Sequence, residues 1–295
     1  MKKWICMGLA LVLLGGMLSG CAPQNAAWDI AATTLPVYEF TTRLCTHTGL
    51  TVTRLVTEKV SCLHDYSLSV RQVKAIQGAK LLVLSGAGLE DFLSDGVSGA
   101  KALADASEGI PLHCGDTLEE EAHGEAGHHH EYDPHIWLSP VLAKKMAQSI
   151  CAALKAQFPE HQEVFEMNLA ALNADLDALL AYGKEALGEL DCRKLLTFHD
   201  GFSYLAEAFD LTILEAVEEE SGSEASAQKL ISLIGLVESQ NLPAIFTEVS
   251  GSTAAAEVIA AETGVKVFSL DMALSGDSYF TAMYRNIDTL QEALK

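Results

Sequence analysis

The sequence predicts an α/β fold: two similar parallel-sheet α/β lobes joined by one long rigid backbone helix. Three observations predict it. Short β-branched or leucine-rich runs alternate with helical spacing in the first part of the chain. The same alternation returns in the last third. Between them lie about fifty residues of nearly unbroken helical spacing, longer than a typical globular helix.

In chain order, Asp29 to Pro36 reads as a first strand and Val37 to Leu44 as the start of a helix. Thr51 to Val56 is β-branched and reads as a strand that ends in a polar loop carrying His64. Ser69 to Ala79 has helical spacing at Val70, Val73 and Ile76. Leu81 to Leu84 reads as a buried strand closed by Ser85-Gly86, and Ile110 to His113 as one more strand. Phe158-Pro159 divides the helical stretch into two helices, the second from about Glu160 to Leu190 with an apolar stripe at Leu169, Leu172, Leu176, Leu179 and Leu180. The second half offers strands at Lys194 to Phe198, Leu211 to Val217, Ala244 to Thr247 and Val265 to Leu270. Its helices read as Phe202 to Phe209, Ala225 to Ser239, Thr253 to Thr263 and Tyr279 to Leu294.

The first twenty residues read as a leader rather than as part of the fold. Lys2 and Lys3 precede a short apolar run, Ile5 to Leu14, and Leu18-Ser19-Gly20-Cys21 closes it. That closing tetrad is similar to the lipobox of bacterial lipoproteins, which makes Cys21 the expected lipidation site and places the mature chain outside the cytoplasmic membrane, on an acyl anchor. The expected division is therefore a leader at 1–20, a tether at 21–29, a first lobe at 30–157 with an acidic His-rich loop at 116–131, a linking helix at 158–190 and a second lobe at 191–295.

Composition narrows the class. With 295 residues and 49% hydrophobic content, the chain can build a sizeable core. A formal net charge of −21 excludes nucleic acid as a partner, because phosphate neutralisation needs Lys and Arg. The seven cysteines include no Cys-x-x-Cys pair, which argues against a thiolate zinc knuckle. With Cys6 in the leader and Cys21 lipidated, Cys45, Cys62, Cys114, Cys151 and Cys192 allow at most two disulfides, of unreadable pairing.

Candidate metal ligands fall at suggestive places. His135 sits in Tyr132-Asp133-Pro134-His135-Ile136-Trp137, directly after a tract of carboxylates and histidines that includes His123, His128, His129 and His130. His199 follows Leu195 to Phe198, Glu248 follows Ile245-Phe246-Thr247, and Asp271 follows Val267 to Leu270. In parallel sheets the loops at the carboxyl ends of strands face the ligand crevice. Two facing lobes could thus bring His64 and His135 from one side against His199 and Asp271 from the other, an N3O set that suits tetrahedral zinc. Each residue also has a plainer reading. A histidine after a strand is more often a capped or solvated loop residue, and Asp271 or Glu248 could be a helix N-cap. His47, His113 and His161 read as surface or packing residues, and Cys62 as a quiet thiol.

Four stretches together resemble one family. They are His64-Asp65-Tyr66; Glu131-Tyr132-Asp133-Pro134-His135-Ile136-Trp137-Leu138; Phe198-His199-Asp200-Gly201-Phe202-Ser203-Tyr204-Leu205; and Glu262 to Val267 leading to Asp271. From about Ile30 to the C-terminus the chain resembles the zinc- and manganese-binding solute-binding lipoproteins of ABC transporters. The resemblance implies metal buried between two lobes on His64, His135, His199 and Asp271, an ABC permease as partner, and no catalysis. Manganese receptors of this kind tend to carry a carboxylate where His199 stands, so zinc is the expected cation and manganese the alternative. The chain departs from the pattern at Ser67-Leu68, Ser139 and Met272, none of which removes a ligand. Glu248 is the expected hydrogen-bonding support behind a ligand histidine, and the His-rich loop an accessory zinc collector. A secreted zinc hydrolase, with Glu248 as general base, and an adhesin are the rival classes; no His-Glu-x-x-His helix supports the former.

Overall fold

The computed structural model describes residues 28–58, 63, 66–93, 97–114, 132–217 and 225–295. It contains two four-stranded sheets, every pairing parallel. The first is built from β1 (Ile30–Ala32), β2 (Val52–Arg54), β3 (Leu81–Leu84) and β4 (Leu103–Asp105), and the second from β5 (Lys194–Thr197), β6 (Thr212–Ala216), β7 (Ala244–Glu248) and β8 (Lys266–Leu270). Their spatial orders, β2-β1-β3-β4 and β6-β5-β7-β8, are the same permutation, so the second half repeats the first. In both, the order reverses between the first and third strands, and that is where an open parallel sheet leaves its crevice.

The expected strand at Ile110 to His113 is not there. The fourth strand of the first sheet is instead β4, which pairs Leu82↔Leu103 and Leu84↔Asp105 at the sheet edge. It hides from a hydrophobicity reading because only Ala104 of its three residues is buried. Residues 111–113 belong to no strand and lead to an isolated antiparallel bridge between Cys114 and Tyr132.

The helices follow from caps and spacing. α1 (Leu35–Leu44) opens with Pro36 in its first turn and buries Leu35, Val37, Phe40, Thr41 and Leu44. α2 (Val70–Gly78) starts on a capping box between Ser69 and Gln72. α3 (Pro140–Gln157) again begins with proline and buries Ala143, Met146, Ala147, Ile150, Cys151 and Leu154, three and four residues apart. Pro159 ends it, as expected, and after a short 3-10 turn α4 runs from Gln162 to Ala186. At 25 residues α4 is the long helix of the fold. Arg193 brackets its end, donating to the carbonyls of Leu187 (2.8 Å) and Gly188 (2.9 Å). α5 (Ser203–Ala208), α6 (Ala227–Gln240), α7 (Ala254–Thr263) and α8 (Tyr279–Leu294) complete the second half.

The main hydrophobic core does not stop at the boundary between the halves. One cluster of buried side chains runs from Ile30 and Phe40 through Trp137, Phe165 and Leu176 to Phe202, Met272, Tyr279 and Leu294. Smaller clusters lie on the outer face of each sheet. Among the described residues Cys45, Cys114, Cys151 and Cys192 are free thiols, and burial pushes the Cys45 thiol up to about 12.

Candidate metal centre

Three strands of the second sheet deliver side chains to the crease. β5 and β7, the two strands flanking the reversal of strand order, lead into His199 and end in Glu248, and β8 runs directly into Asp271. His135 arrives from the other side, on the loop before the 3-10 turn Ile136–Leu138, which the wholly buried Trp137 anchors.

The two histidines meet. The rings of His135 and His199 stand edge to face with centroids 5.3 Å apart. Gly201 makes room for this approach: a Cβ there would lie 2.6 Å from Met272 Cε, 2.8 Å from His199 Cδ2 and 3.0 Å from His135 Cε1. His135 packs edge-on against Trp137 and His199 against Phe202, so aromatic walls surround both rings.

Carboxylates orient the donors. Asp133 Oδ1 accepts the backbone N–H of His135 at 2.9 Å and lies 2.8 Å from its Nδ1. Since a carboxylate only accepts, Nδ1 carries the hydrogen in this contact, which in a neutral ring leaves Nε2 as the atom able to bind an ion. Glu248 is nearly buried and places Oε2 3.7 Å from His199 Nδ1. Burial, and after it the negative charge of Asp271, pushes the Glu248 carboxyl up to about 8. Asp271 is held rigidly. Asn286 donates to its carbonyl (2.7 Å) and accepts from its N–H (2.8 Å), while Oδ1 takes the N–H of Ala273 at 2.8 Å.

Of the expected residues, the structure thus gathers His135, His199, Glu248 and Asp271 around one crease. His64, the loop histidines His123, His128, His129 and His130, and Cys21 lie outside the described residues. Among the described residues no group of three or more His, Cys, Asp or Glu side chains is closed tightly enough to hold an ion. The sequence reading did not single out Asp133, which holds His135, or Gly201, which leaves room for both rings, although both sit inside the quoted motifs. Gly201, two residues after a candidate ligand, was the available signal.

Comparison with known proteins agrees with this architecture. A family model described as zinc-uptake complex component A, periplasmic (ZnuA) matches residues 30–293. The zinc-binding lipoprotein AdcA of Streptococcus pneumoniae serotype 4 is 32% identical over 99% of the chain, which spans only 61% of that relative's length. The high-affinity zinc uptake system protein ZnuA of Bacillus subtilis strain 168 is 29% identical, over 99% of this chain and 98% of the relative. A crystal structure of ZnuA superposes with a TM-score of 0.77 at 29% identity, covering 91% of this chain and all of that one. With the family model matched across both sheets and through every described candidate ligand, the chain belongs to the ZnuA family.

Proposed function

We propose that the chain is an extracytoplasmic zinc receptor that captures the ion in the crease between its lobes and delivers it to an ABC permease, breaking no covalent bond. The ligands are His64, His135, His199 and Asp271, three imidazoles and one carboxylate, which is a donor set of tetrahedral zinc chemistry. Glu248, whose Oε2 lies 3.7 Å from His199 Nδ1, is the carboxyl placed to come into hydrogen-bonding support of that ring when the ion is held. The observation that carries the proposal is the approach of His135 and His199, 5.3 Å between ring centroids, from opposite lobes and in the space left by Gly201. The names of the AdcA and ZnuA relatives, a zinc-binding lipoprotein and a zinc uptake protein, support the choice of cation.

Cys21 is the proposed lipid anchor, holding the receptor at the outer face of the membrane. No helix among the described residues is long and apolar enough to cross a bilayer. The proposed organisation keeps a first lobe at 30–157, a linking helix at 158–190 and a second lobe at 191–295. The histidines at 123 and 128–130 serve as a weak zinc collector.

Elemental analysis of the full-length chain after incubation with zinc and manganese in competition tests the assignment. One tightly held zinc per chain is expected. His199→Ala should weaken binding by more than the roughly 10–100-fold that loss of an outer-shell partner costs. Preference for manganese, or undiminished zinc in His199→Ala, would overturn the site. Affinity is expected to fall on acidification, since imidazole and carboxylate ligands must shed their protons to bind.

A further inference from the structure

We infer that Tyr204 is a positioning residue of the metal centre, a cross-lobe strut that sets His135 relative to His199. The inference rests on the zinc-receptor proposal above and assigns a role to a residue that touches no ion.

Tyr204 lies on α5, the short helix that begins four residues after His199, and it is 1% exposed. A phenol buried so deeply needs partners for its hydroxyl. It has two, both on the first half of the chain: it accepts the backbone N–H of His113 at 2.9 Å and donates to the backbone carbonyl of Asp133 at 3.1 Å. With one bond received and one given, the hydroxyl rotor is fixed. Asp133 is the residue whose carboxylate holds both the backbone and the ring of His135. The connection therefore runs from the helix behind His199, through one hydroxyl, to the group that aims the other histidine.

The same side chain gathers the root of the His-rich tract. The imidazole of His113 stacks on the Tyr204 ring with centroids 4.3 Å apart and planes 16° from parallel. His113 Nε2 lies 3.0 Å from Oε2 of Glu207, on the same helix as Tyr204. The His113 carbonyl accepts the N–H of Asp133 at 3.0 Å, and Cys114 pairs with Tyr132. Both segments that flank residues 115–131 are thereby fastened to the opposite lobe at one point. An ordinary core tyrosine would fill space; this one joins three separate pieces of chain, two of which carry ligands.

Tyr204→Phe keeps the ring and its stack and deletes only the strut. In the full-length chain, zinc affinity measured against a chromogenic chelator should fall about tenfold, the lower end of outer-shell effects, mostly through faster dissociation. The visible absorption band of the cobalt(II)-loaded variant should shift, because the coordination geometry changes and not merely the stability. Asp133→Asn should shift the band in the same way with a larger loss of affinity. In that background Tyr204→Phe should add less than it does alone. Unchanged zinc affinity and an unchanged cobalt band in Tyr204→Phe would overturn the inference while leaving the receptor proposal intact. Full additivity with Asp133→Asn would also overturn it. Should Tyr204→Phe fail to fold, an unperturbed cobalt band in Asp133→Asn would sink the same connection. A wild-type chain that bound neither ion would overturn both proposals.

Discussion

A missing side chain does as much for the crease as those present. At Gly201 the added methyl of alanine would press on Met272 and on both imidazoles at 3.0 Å or less. Gly201→Ala should therefore spread His135 from His199 and weaken zinc binding by tenfold or more, on the order of an outer-shell loss, although every donor is kept. Isothermal titration beside a denaturation curve checks this: affinity should drop further than stability would explain. A second residue-scale prediction concerns Glu90, buried at the carboxyl ends of β1 and β3. Its carboxylate takes the Thr33 hydroxyl (2.6 Å) and the N–H groups of Ser85 (2.6 Å) and Gly86 (2.9 Å). Burial nevertheless outweighs those bonds and pushes its pKa up from 4.5 to about 7. The folded chain then binds more protons than the unfolded one across that window, so stability falls as pH rises through it, by at most about 1.4 kcal/mol per unit. Glu90→Gln lacks a titrating carboxyl and should gain on the wild type between pH 5 and pH 7.5. Urea midpoints at four pH values measure it, and parallel curves for the two proteins would refute it.

Among the elements, α4 shows how packing can reverse a propensity. Glycine inside a helix normally costs about 0.5–1 kcal/mol relative to alanine. Gly183 lies near the end of α4, where a Cβ would stand 2.2 Å from Phe209 Cε1 and 2.6 Å from Cζ. The ring seated there joins the linking helix to the second sheet's α5 side. Gly183→Ala should destabilise the chain by about 1–3 kcal/mol, the usual cost of overpacking, and Phe209→Leu in the same chain should restore part of the loss. A raised denaturation midpoint in the single variant would refute the clash. The same contrast marks what could be read from sequence. The pattern of apolar residues exposed α3, the break at Phe158-Pro159, and the strands β3 and β5 to β8, because α3 buries residues at helical spacing and each strand is a run of apolar or β-branched residues, mostly buried in β3, β5 and β7 and partly buried in β6 and β8. It missed β4, which buries Ala104 alone, and misplaced a strand at Ile110 to His113, where apolar residues lead without sheet pairing to the Cys114–Tyr132 bridge. The ends of β5, β7 and β8 located His199, Glu248 and Asp271 because strand ends are local. The tasks of Gly201, Asp133 and Tyr204 depend on contacts between distant segments, which no local pattern records.

For the molecule as a whole, the segment after Asp271 decides what can move. It belongs by sequence to the second half, yet its polar groups are fastened to the first. Trp137 Nε1 donates to the Met272 carbonyl at 2.7 Å, Leu35 N–H to that of Leu274 at 3.2 Å, and Arg54 to that of Gly276 at 2.7 Å. Glu39 accepts the Tyr279 N–H at 2.6 Å, and the Tyr279 hydroxyl donates to the Trp137 carbonyl at 2.7 Å. Several of these groups lie in the continuous core, where breaking a bond leaves a desolvated polar atom at a cost of about 1–3 kcal/mol each. A wide hinge opening through this segment would break several at once, a sum comparable with the whole stability of a domain. If the proposed centre is right, Asp271 and His135 are expected to be its fixed half, with the freedom to admit and release an ion on the His199 side, in residues 199–202 after β5. Hydrogen exchange on the apo and zinc-loaded chain tests this directly. Amides across 272–279 should be equally protected in both states, while those of 199–202 should gain protection on loading. Small-angle scattering should find the radius of gyration, about 19 Å for a compact chain of this length, changed by less than about 1 Å. Protection gained across 272–279 on loading, together with a clear contraction, would mean that the cross-lobe bonds form only around the ion and that Asp271 travels with the second sheet.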